Sequence, residues 1–524
     1  LKRSDVPAAA AAIAVALVYL FALPRTWWDA HEVRFAQALF TFDPVHLQPE
    51  PPGYPLFVGL SRLVNFFVRS PFAALCALSL VAAILGALLL VRAASALLGN
   101  EWLGVAAALL FYLSPAMLVF GPLPNAEATS IAFVIGAFHA LVREKPVVFA
   151  ATCAAAIGCR PQLAPAIGLV FVVGLLKMPR RREAILLFAL VIGVSFVPLI
   201  EAGGWNFPIS REGSLRELVM RFVAHPWGSK FLSLPLLAMA AIGIYRVRAL
   251  FAVALFGGTH LAFTILTGTL TDGVQPVLPA LLAIAVLAAA AFTRVPIVAA
   301  VAAIAYAAGS IAYTAPILLA RRATSSPPAQ AAAAMGGNPV VLADPELAPH
   351  AAVAGLEAWN FSRFDELAER PEVPAALLVE GASQAPGAKT FSWPDSDAYG
   401  KLTTERFRVV SLVPLPPENR YRGRAGVYPM ENAPEQGEWR WLASEAIIDL
   451  PAARPVTLHL ALPARAPIES NEVSVNGVRA VVRRGESAEV SVGTAEQITI
   501  RSARAFTAPD GRELAVQLTS LNGR

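Results

Sequence analysis

Long apolar runs, cut at intervals by short basic segments, fill the first 320 residues of the chain. A helix needs about 20 apolar residues to cross a bilayer. Runs of this kind lie near residues 6–23, 72–92, 102–119, 126–142, 146–160, 162–177, 183–200, 230–245, 249–268, 276–293 and 296–318, and they predict about 11 spans. Residues 146–177 read either as two short spans broken at Arg160-Pro161 or as one long kinked span. The basic residues discriminate. Lys2 and Arg3 precede the first run, and Arg92, Arg143 with Lys145, Lys177 with Arg180, Arg181 and Arg182, Arg246 with Arg248, and Arg294 follow later ones. With a cytoplasmic amino terminus every cluster falls inside, as the positive-inside rule requires, provided 146–177 holds two spans. The flank Leu23-Pro24-Arg25-Thr26-Trp27-Trp28 lacks a small-residue cleavage site, so the first run reads as an anchor rather than a signal peptide.

Two external loops interrupt the pattern. Residues 24–71 contain segments too short to span, 30–41 and 54–67, which read as helices lying in the interface. Residues 201–229 carry Trp205, Phe207 and Trp227 with Arg211, Arg216 and Arg221, a second interfacial segment. Beyond 320 the period changes. A small-residue linker covers 321–339. Residues 340–430 read as a small α/β module: extended runs at Val340-Val341-Leu342, 376–379 and 407–413, with a helix-like stretch at 347–368. Residues 431–524 alternate as strands at 439–450, 456–462, 472–482, 488–492, 497–502 and 514–518, with a hairpin signal at Asn476-Gly477, and predict a β-sandwich. The fold class expected is a multi-pass α-helical membrane protein with a C-terminal soluble domain, placed on the far side of the membrane by the odd number of spans.

Composition agrees with this division. The chain is 56% hydrophobic and 15% charged, whereas soluble proteins carry about 25% charged residues. Residues 1–320 hold 21 Lys/Arg and 13 Asp/Glu; residues 321–524 hold 21 and 24. The chain's net charge is +5, and the positive excess of its first 320 residues sits in short loops between apolar runs, so it implies no nucleic acid. Cys76, Cys153 and Cys159 all lie in apolar runs and build neither a disulfide framework nor a zinc site.

Ionisable residues at the membrane edge are costly and mark candidate chemistry. Asp29 and Glu32 follow the first run, three apart. They can share a metal or deprotonate a hydroxyl, and they equally form a helix capping box. Glu50-Pro51-Pro52-Gly53-Tyr54-Pro55-Leu56 is a proline-fixed entry into the next segment. Glu127 opens the fourth run. Arg160, in Gly158-Cys159-Arg160-Pro161-Gln162, sits at an external edge against the orientation rule and can bind phosphate bidentately. All four places fall on one external face. In the rear, Trp439 and Trp441 share one strand face and read either as core or as a sugar-stacking pair; Trp359 and Trp393 are open in the same way.

In this order the motifs resemble the GT-C glycosyltransferases, multi-spanning enzymes that use polyprenyl-phosphate-linked sugars. The likeness covers residues 5–320. Asp29-x-x-Glu32 followed by Pro51-Pro52-Gly53-Tyr54-Pro55-Leu56 is similar to the branch with Asp-x-Gly-Glu and Pro-Pro-Gly-x-Pro-Leu elements, which includes the protein O-mannosyltransferases. His31 stands where that branch has Gly. Ala126-Glu127 is similar to its Ala-Glu-Val-Tyr element with Ala128-Thr129 replacing Val-Tyr, and Gly158-Cys159-Arg160-Pro161 to a bacterial Gly-x-Arg-Pro element. The family's Arg-Tyr-x-x-Pro is matched only by Gln275-Pro276-Val277-Leu278-Pro279, which shifts phosphate binding to Arg160 or Arg62.

The resemblance implies inverting transfer of a hexose or pentose from a polyprenyl-phosphate carrier to a hydroxyl on a protein, glycan or lipid. Asp29 would be general base, with Glu32 and Glu127 positioning the acceptor or a divalent metal, which is allowed but not required. Arg160 would neutralise the leaving phosphate, with Arg62, Tyr54, His31 and Gln275 as further substrate contacts; His31 itself reads as a loop residue. The location implied is a bacterial inner membrane, with the amino terminus cytoplasmic and the C-terminal domain periplasmic. The rival class is a transporter or flippase for a lipid-linked glycan with an external binding domain. No convincing internal repeat supports it, and the candidate charges lie at an edge rather than at depth.

Overall fold

The computed structural model describes residues 6–202, 230–246, 250–267, 274–336, 339–343, 346–383, 385, 387–394, 407–433 and 437–523. The external loop expected at 201–229 lies outside these residues from 203 onward. The chain divides into two compact units, one built from Leu1–Ser325 and the other from Ser326–Trp393 and Arg406–Arg524, with Pro394–Glu405 counted in the first.

The first unit is helical. Its helices are α1 (Val6–Ala22), α2 (Ala30–Ala38), α3 (Pro55–Val68), α4 (Pro71–Leu98), α5 (Glu101–Tyr112), α6 (Pro115–Phe120), α7 (Glu127–Val142), α8 (Pro146–Cys159), α9 (Ala164–Lys177), α10 (Arg181–Glu201), α11 (Lys230–Arg246), α12 (Phe251–Leu266), α13 (Leu278–Ala290) and α14 (Pro296–Ala323). Proline sets many of the starts. Pro55, Pro71, Pro115, Pro146 and Pro296 each open a helix, where a missing N–H costs nothing. The run expected as one span at 102–119 is two helices, because Pro115 holds Ser114 in an extended conformation and Ser114 caps α6. Among the described residues, three helical stretches are long and apolar enough to cross a membrane, Pro71–Leu98, Arg181–Glu201 and Pro296–Ala333, and nine more apolar helices are shorter. α4 packs against α1, α5 and α7, and α8 against α7 and α10. The outer helices leave apolar side chains uncovered: Leu186, Leu190 and Val194 on α10 are 70%, 62% and 66% exposed.

In the second unit the expected linker is partly helical: Ser326 precedes an alanine-rich helix α15 (Pro327–Ala333). A five-stranded sheet follows, of β1 (Val340–Ala343), β2 (Glu357–Asn360), β3 (Ala375–Glu380), β4 (Lys389–Ser392) and β5 (Val409–Pro414), in the order β2-β1-β3-β5-β4. β1 runs parallel to β2 and β3, and β5 pairs antiparallel with β3 and with the edge strand β4. The helix expected over 347–368 is interrupted. It comprises α16 (Ala348–Val353), β2 and α17 (Phe364–Ala368), and Gly355 at φ +80° makes the turn that ends α16.

The C-terminal strands are β6 (Arg422–Ala433), β7 (Gly437–Leu462), β8 (Ser470–Val475), β9 (Val478–Arg483), β10 (Glu486–Ser502), β11 (Phe506–Thr507), β12 (Glu513–Leu514) and β13 (Val516–Gly523). Two pairs of expected strands fuse into the long β7 and β10. Asn476 and Gly477, both at positive φ, form the β8–β9 hairpin turn. β10 follows β7 through register breaks between Val492 and Gln497, and Gln517 of β13 pairs with both Trp441 and Ala461 of β7. Where the sequence pattern predicts two stacked sheets, hydrogen bonding joins six strands in one sheet that curls on itself, beside the β11–β12 ribbon. The two expected rear modules also share a core: Leu377, Val413 and Tyr421 belong to one apolar cluster with Leu442, Ile448 and Val516. Trp439 and Trp441 are buried against Leu514, and Trp359 and Trp393 are buried too.

Arg420 pins this unit. It is 1% exposed and donates to the backbone carbonyls of Leu415 (3.1 Å), Arg370 (2.7 Å) and Val373 (2.6 Å). Arg420→Met removes the side-chain donors to the Leu415 and Val373 carbonyls, at about 1–3 kcal/mol for each group left unsatisfied, while the Arg370 carbonyl keeps the Val373 N–H. Thermal unfolding of the full chain is expected to show the second unit's transition several degrees lower. An unchanged transition would show that the arginine is not structural.

Candidate functional site

The site begins at the amino end of α2. Asp29 caps the helix, its Oδ1 accepting the Glu32 N–H at 3.1 Å, and Glu32 Oε2 reaches back to accept the Trp28 N–H at 2.7 Å. This is close to the capping box that the spacing also allows. It is not only a cap, however. Glu32 is fully buried and its Oε1 has no hydrogen-bond partner. Burial pushes the Asp29 carboxyl above its ordinary value, against the lowering effect of His31 and the Glu32 amide. Burial and then the Asp29 charge push Glu32 well above its own.

His31 lies in the first turn of α2 and Arg34 in the second, so His31 is helical rather than in a loop. Both reach Glu50: His31 Nδ1 lies 3.0 Å from Glu50 Oε2, and Arg34 forms an ion pair with Glu50 Oε1. Burial alone would raise Glu50, but His31 and Arg34 outweigh it and hold the carboxyl at about 2. Burial alone would lower His31, but the Glu50 contact outweighs it and raises the imidazole above its ordinary 6.5. The turn from Glu50 to Gly53 closes with a 2.9 Å hydrogen bond from the Gly53 N–H, and Gly53 at φ +96° leads into Tyr54 and α3.

The other components come from α7 and α8. Glu127 is the first residue of α7, and its N–H donates to Asn125 Oδ1 at 3.1 Å. Arg160 ends α8, where Pro161 breaks the helix. Arg160 and Glu127 form a buried ion pair, 5% exposed each, and the Arg160 Nε has no partner. Tyr54 joins the two halves. Its hydroxyl accepts from Gln162 Nε2 at 2.8 Å, and it lies within electrostatic reach of Arg160, Glu127 and Glu50. His31 in turn lies within reach of Asp29 and Glu127.

An apolar cluster holds these segments together. Phe35, Tyr54, Phe57, Leu75, Ala126 and Cys159 pack as one group, so α2, α3, α4 and the ends bearing Glu127 and Arg160 meet at one place. The His31 ring is edge-on to Phe35 (4.6 Å) and Tyr54 (5.7 Å). Six of the residues singled out from sequence therefore converge: Asp29, His31, Glu32, Tyr54, Glu127 and Arg160.

Arg62 and Gln275 do not join them. Arg62 is exposed and donates to the Ala38 carbonyl at 2.8 Å, closing the end of α2. Gln275 lies half-buried in a one-turn helix, Gln275–Val277, and among the described residues it makes no hydrogen bond to those of the site. The neighbouring Pro276 carbonyl pairs with His260 (2.7 Å), which is within reach of Arg160. Among the described residues, no three His, Cys, Asp or Glu side chains are placed to hold a metal ion. Of the carboxylates expected at a metal, Glu127 is paired with Arg160, while Asp29 and Glu32 are engaged in the α2 cap with one Glu32 oxygen unpartnered.

Sequence reasoning missed Arg34 and Arg321, and took Glu50 only as the start of a proline-fixed loop. An arginine three residues after His31 was the available signal for Arg34. Arg321, in the last turn of α14, stacks over the Trp28 ring at 3.8 Å, donates to the Val119 carbonyl at 2.8 Å and lies within reach of Glu32. Placed after an apolar run, it reads as an ordinary boundary charge.

No protein-family profile matches the chain, and no curated protein is similar to it at a significant level. Three solved structures are similar. ArnT from Cupriavidus metallidurans in the apo state has 13% identity and a TM-score of 0.49, over 76% of this chain and 96% of that one. The same protein bound to undecaprenyl phosphate has 12% identity and a TM-score of 0.46, over 76% and 97%. Arabinofuranosyltransferase AftD from Mycobacteria has 14% identity and a TM-score of 0.45, over 98% of this chain and 58% of that one. At these values the likeness decides neither fold nor chemistry, and the functional reading rests on the site itself.

Proposed function

We propose that the chain is a membrane glycosyltransferase of the GT-C kind, moving a sugar from a polyprenyl-phosphate carrier to an acceptor hydroxyl with inversion. The observation that carries this is the convergence of two buried carboxyl groups, Glu32 and Glu127, and the half-buried Asp29 with Arg160 around one apolar cluster at the ends of apolar helices. Acids and an arginine withdrawn from water there suit one reaction class: a hydroxyl must lose a proton while a phosphate takes up charge. The acceptor oxygen attacks C1 of the sugar from the face opposite the phosphate. Its proton passes to Asp29, the C1–O bond breaks, and the phosphate leaves with the electron pair. The raised Asp29 carboxyl is a stronger base than an exposed aspartate. Glu32, with an unpartnered oxygen, orients the acceptor. Arg160, fixed by Glu127, stabilises the departing charge.

Uncovered apolar faces, such as that of α10, support a bilayer setting, with the expected eleven spans made by the long and short apolar helices together. The basic side chains Arg92 and Arg143 meet near His139, at the ends of α4 and α7 away from the site. With those ends cytoplasmic, the site and the second unit are on the periplasmic side of a bacterial inner membrane. The test is made in proteoliposomes with a panel of labelled polyprenyl-phosphate sugars. Transfer releases the carrier phosphate and leaves the label on an acceptor. Intact donor moved between leaflets would instead support a flippase.

A further inference from the structure

Three cationic side chains lie at the site, and two are buried with carboxylate partners. Arg34 is 4% exposed and ion-paired with Glu50; Arg160 is 5% exposed and ion-paired with Glu127. His31 differs. Its side chain is 20% exposed, its Nδ1 is held by Glu50 at 3.0 Å, and its ring plane is fixed between Phe35 and Tyr54. Among the described residues nothing hydrogen-bonds its Nε2. A carboxylate held behind one ring nitrogen fixes the tautomer and aims the other N–H away from it. The acids facing His31 are Asp29, Glu50 and Glu127, and all favour the imidazolium; Arg34, Arg160 and the Tyr54 hydroxyl complete its charged and titratable surroundings.

Resting on the carrier-lipid reading above, we propose that His31 contacts the carrier phosphate alongside Arg160, donating from Nε2 to a non-bridging oxygen, and that Glu50 is the positioning residue that aims it. His31 keeps its proton throughout. The acceptor proton still goes to Asp29 and the electron pair to the phosphate, so the imidazolium offsets charge without entering the stoichiometry. A charge-assisted hydrogen bond of this kind corresponds to roughly a tenfold or greater change in affinity.

The test is direct binding of undecaprenyl phosphate to the full chain in nanodiscs between pH 5.5 and 9, independent of turnover. Wild type is expected to bind about tenfold tighter than His31→Gln at pH 6. That advantage should fade as the imidazole deprotonates above its raised pKa. Glu50→Gln should shift the fade to lower pH, and His31→Lys should keep the advantage at every pH, separating the imidazole from the phosphate's own titration. Glu50→Gln also removes Arg34's partner, so the two His31 variants decide the matter if it does not fold. Equal binding by wild type and His31→Gln at pH 6, with the lipid bound well by both, overturns the role of His31 and leaves the carrier reading standing. Absence of binding at every pH overturns both.

Discussion

Asp29→Asn is expected to fold as wild type and to lose about 10²–10⁴-fold in transfer rate, the range a positioned general base supplies. The two halves of this expectation have separate causes. Asparagine caps a helix as well as aspartate, so the hydrogen bond from the Glu32 N–H survives and α2 keeps its start. An amide cannot accept the acceptor's proton, so the chemical step fails. The pH profile carries the same information. Asp29 is raised, so the base is lost as pH falls through a value above its ordinary 3.8. His31 is also raised, so its positive charge is lost as pH rises through a value above 6.5. The expected profile of kcat/KM is a bell between those limbs. Asp29→Asn should lose the rate, and His31→Lys should retain the rate while losing the alkaline limb. A stable Asp29→Asn variant with full turnover would remove Asp29 from the mechanism.

The second large effect is at the Arg160–Glu127 pair. Both side chains are buried, so Arg160→Met leaves the Glu127 carboxylate without its partner, at about 3–5 kcal/mol. Adding Glu127→Leu removes the stranded charge, and replacement of a buried pair by apolar groups is commonly neutral or stabilising. Thermal unfolding in nanodiscs should therefore fall sharply in the single variant and recover in the double, whereas transfer should stay lost in both. Recovery of transfer in the double variant would show that the pair only holds α7 to α8.

The difference between legible and hidden features follows from range. Helix starts at Pro55, Pro71, Pro146 and Pro296 could be read locally, because proline fixes its own dihedral and denies a donor that only a first turn can spare. Asp29 and Glu32 could be read for the same reason, being one turn apart. Glu50 pairs with His31 and Arg34 across 19 and 16 residues of loop, a contact no periodicity encodes. Arg321 meets Trp28 only because α14 packs back beside α1. In the rear, alternation revealed strands but not that 439–450 and 456–462 are one bent strand, since a bend leaves the period of two unchanged. Arg62 misled because its charge matched a phosphate ligand, while its backbone hydrogen bond to Ala38 depends on how α3 lies against α2.

The most direct measurement is photo-crosslinking of the full chain in nanodiscs with a short-chain polyprenyl phosphate bearing a diazirine beside the phosphate. The account predicts label on the segments carrying Asp29 to Arg34, Glu50 to Tyr54, Glu127 and Arg160, competed away by undecaprenyl phosphate. Label spread along the outer helices, or confined to the second unit and unmoved by the competitor, would contradict it.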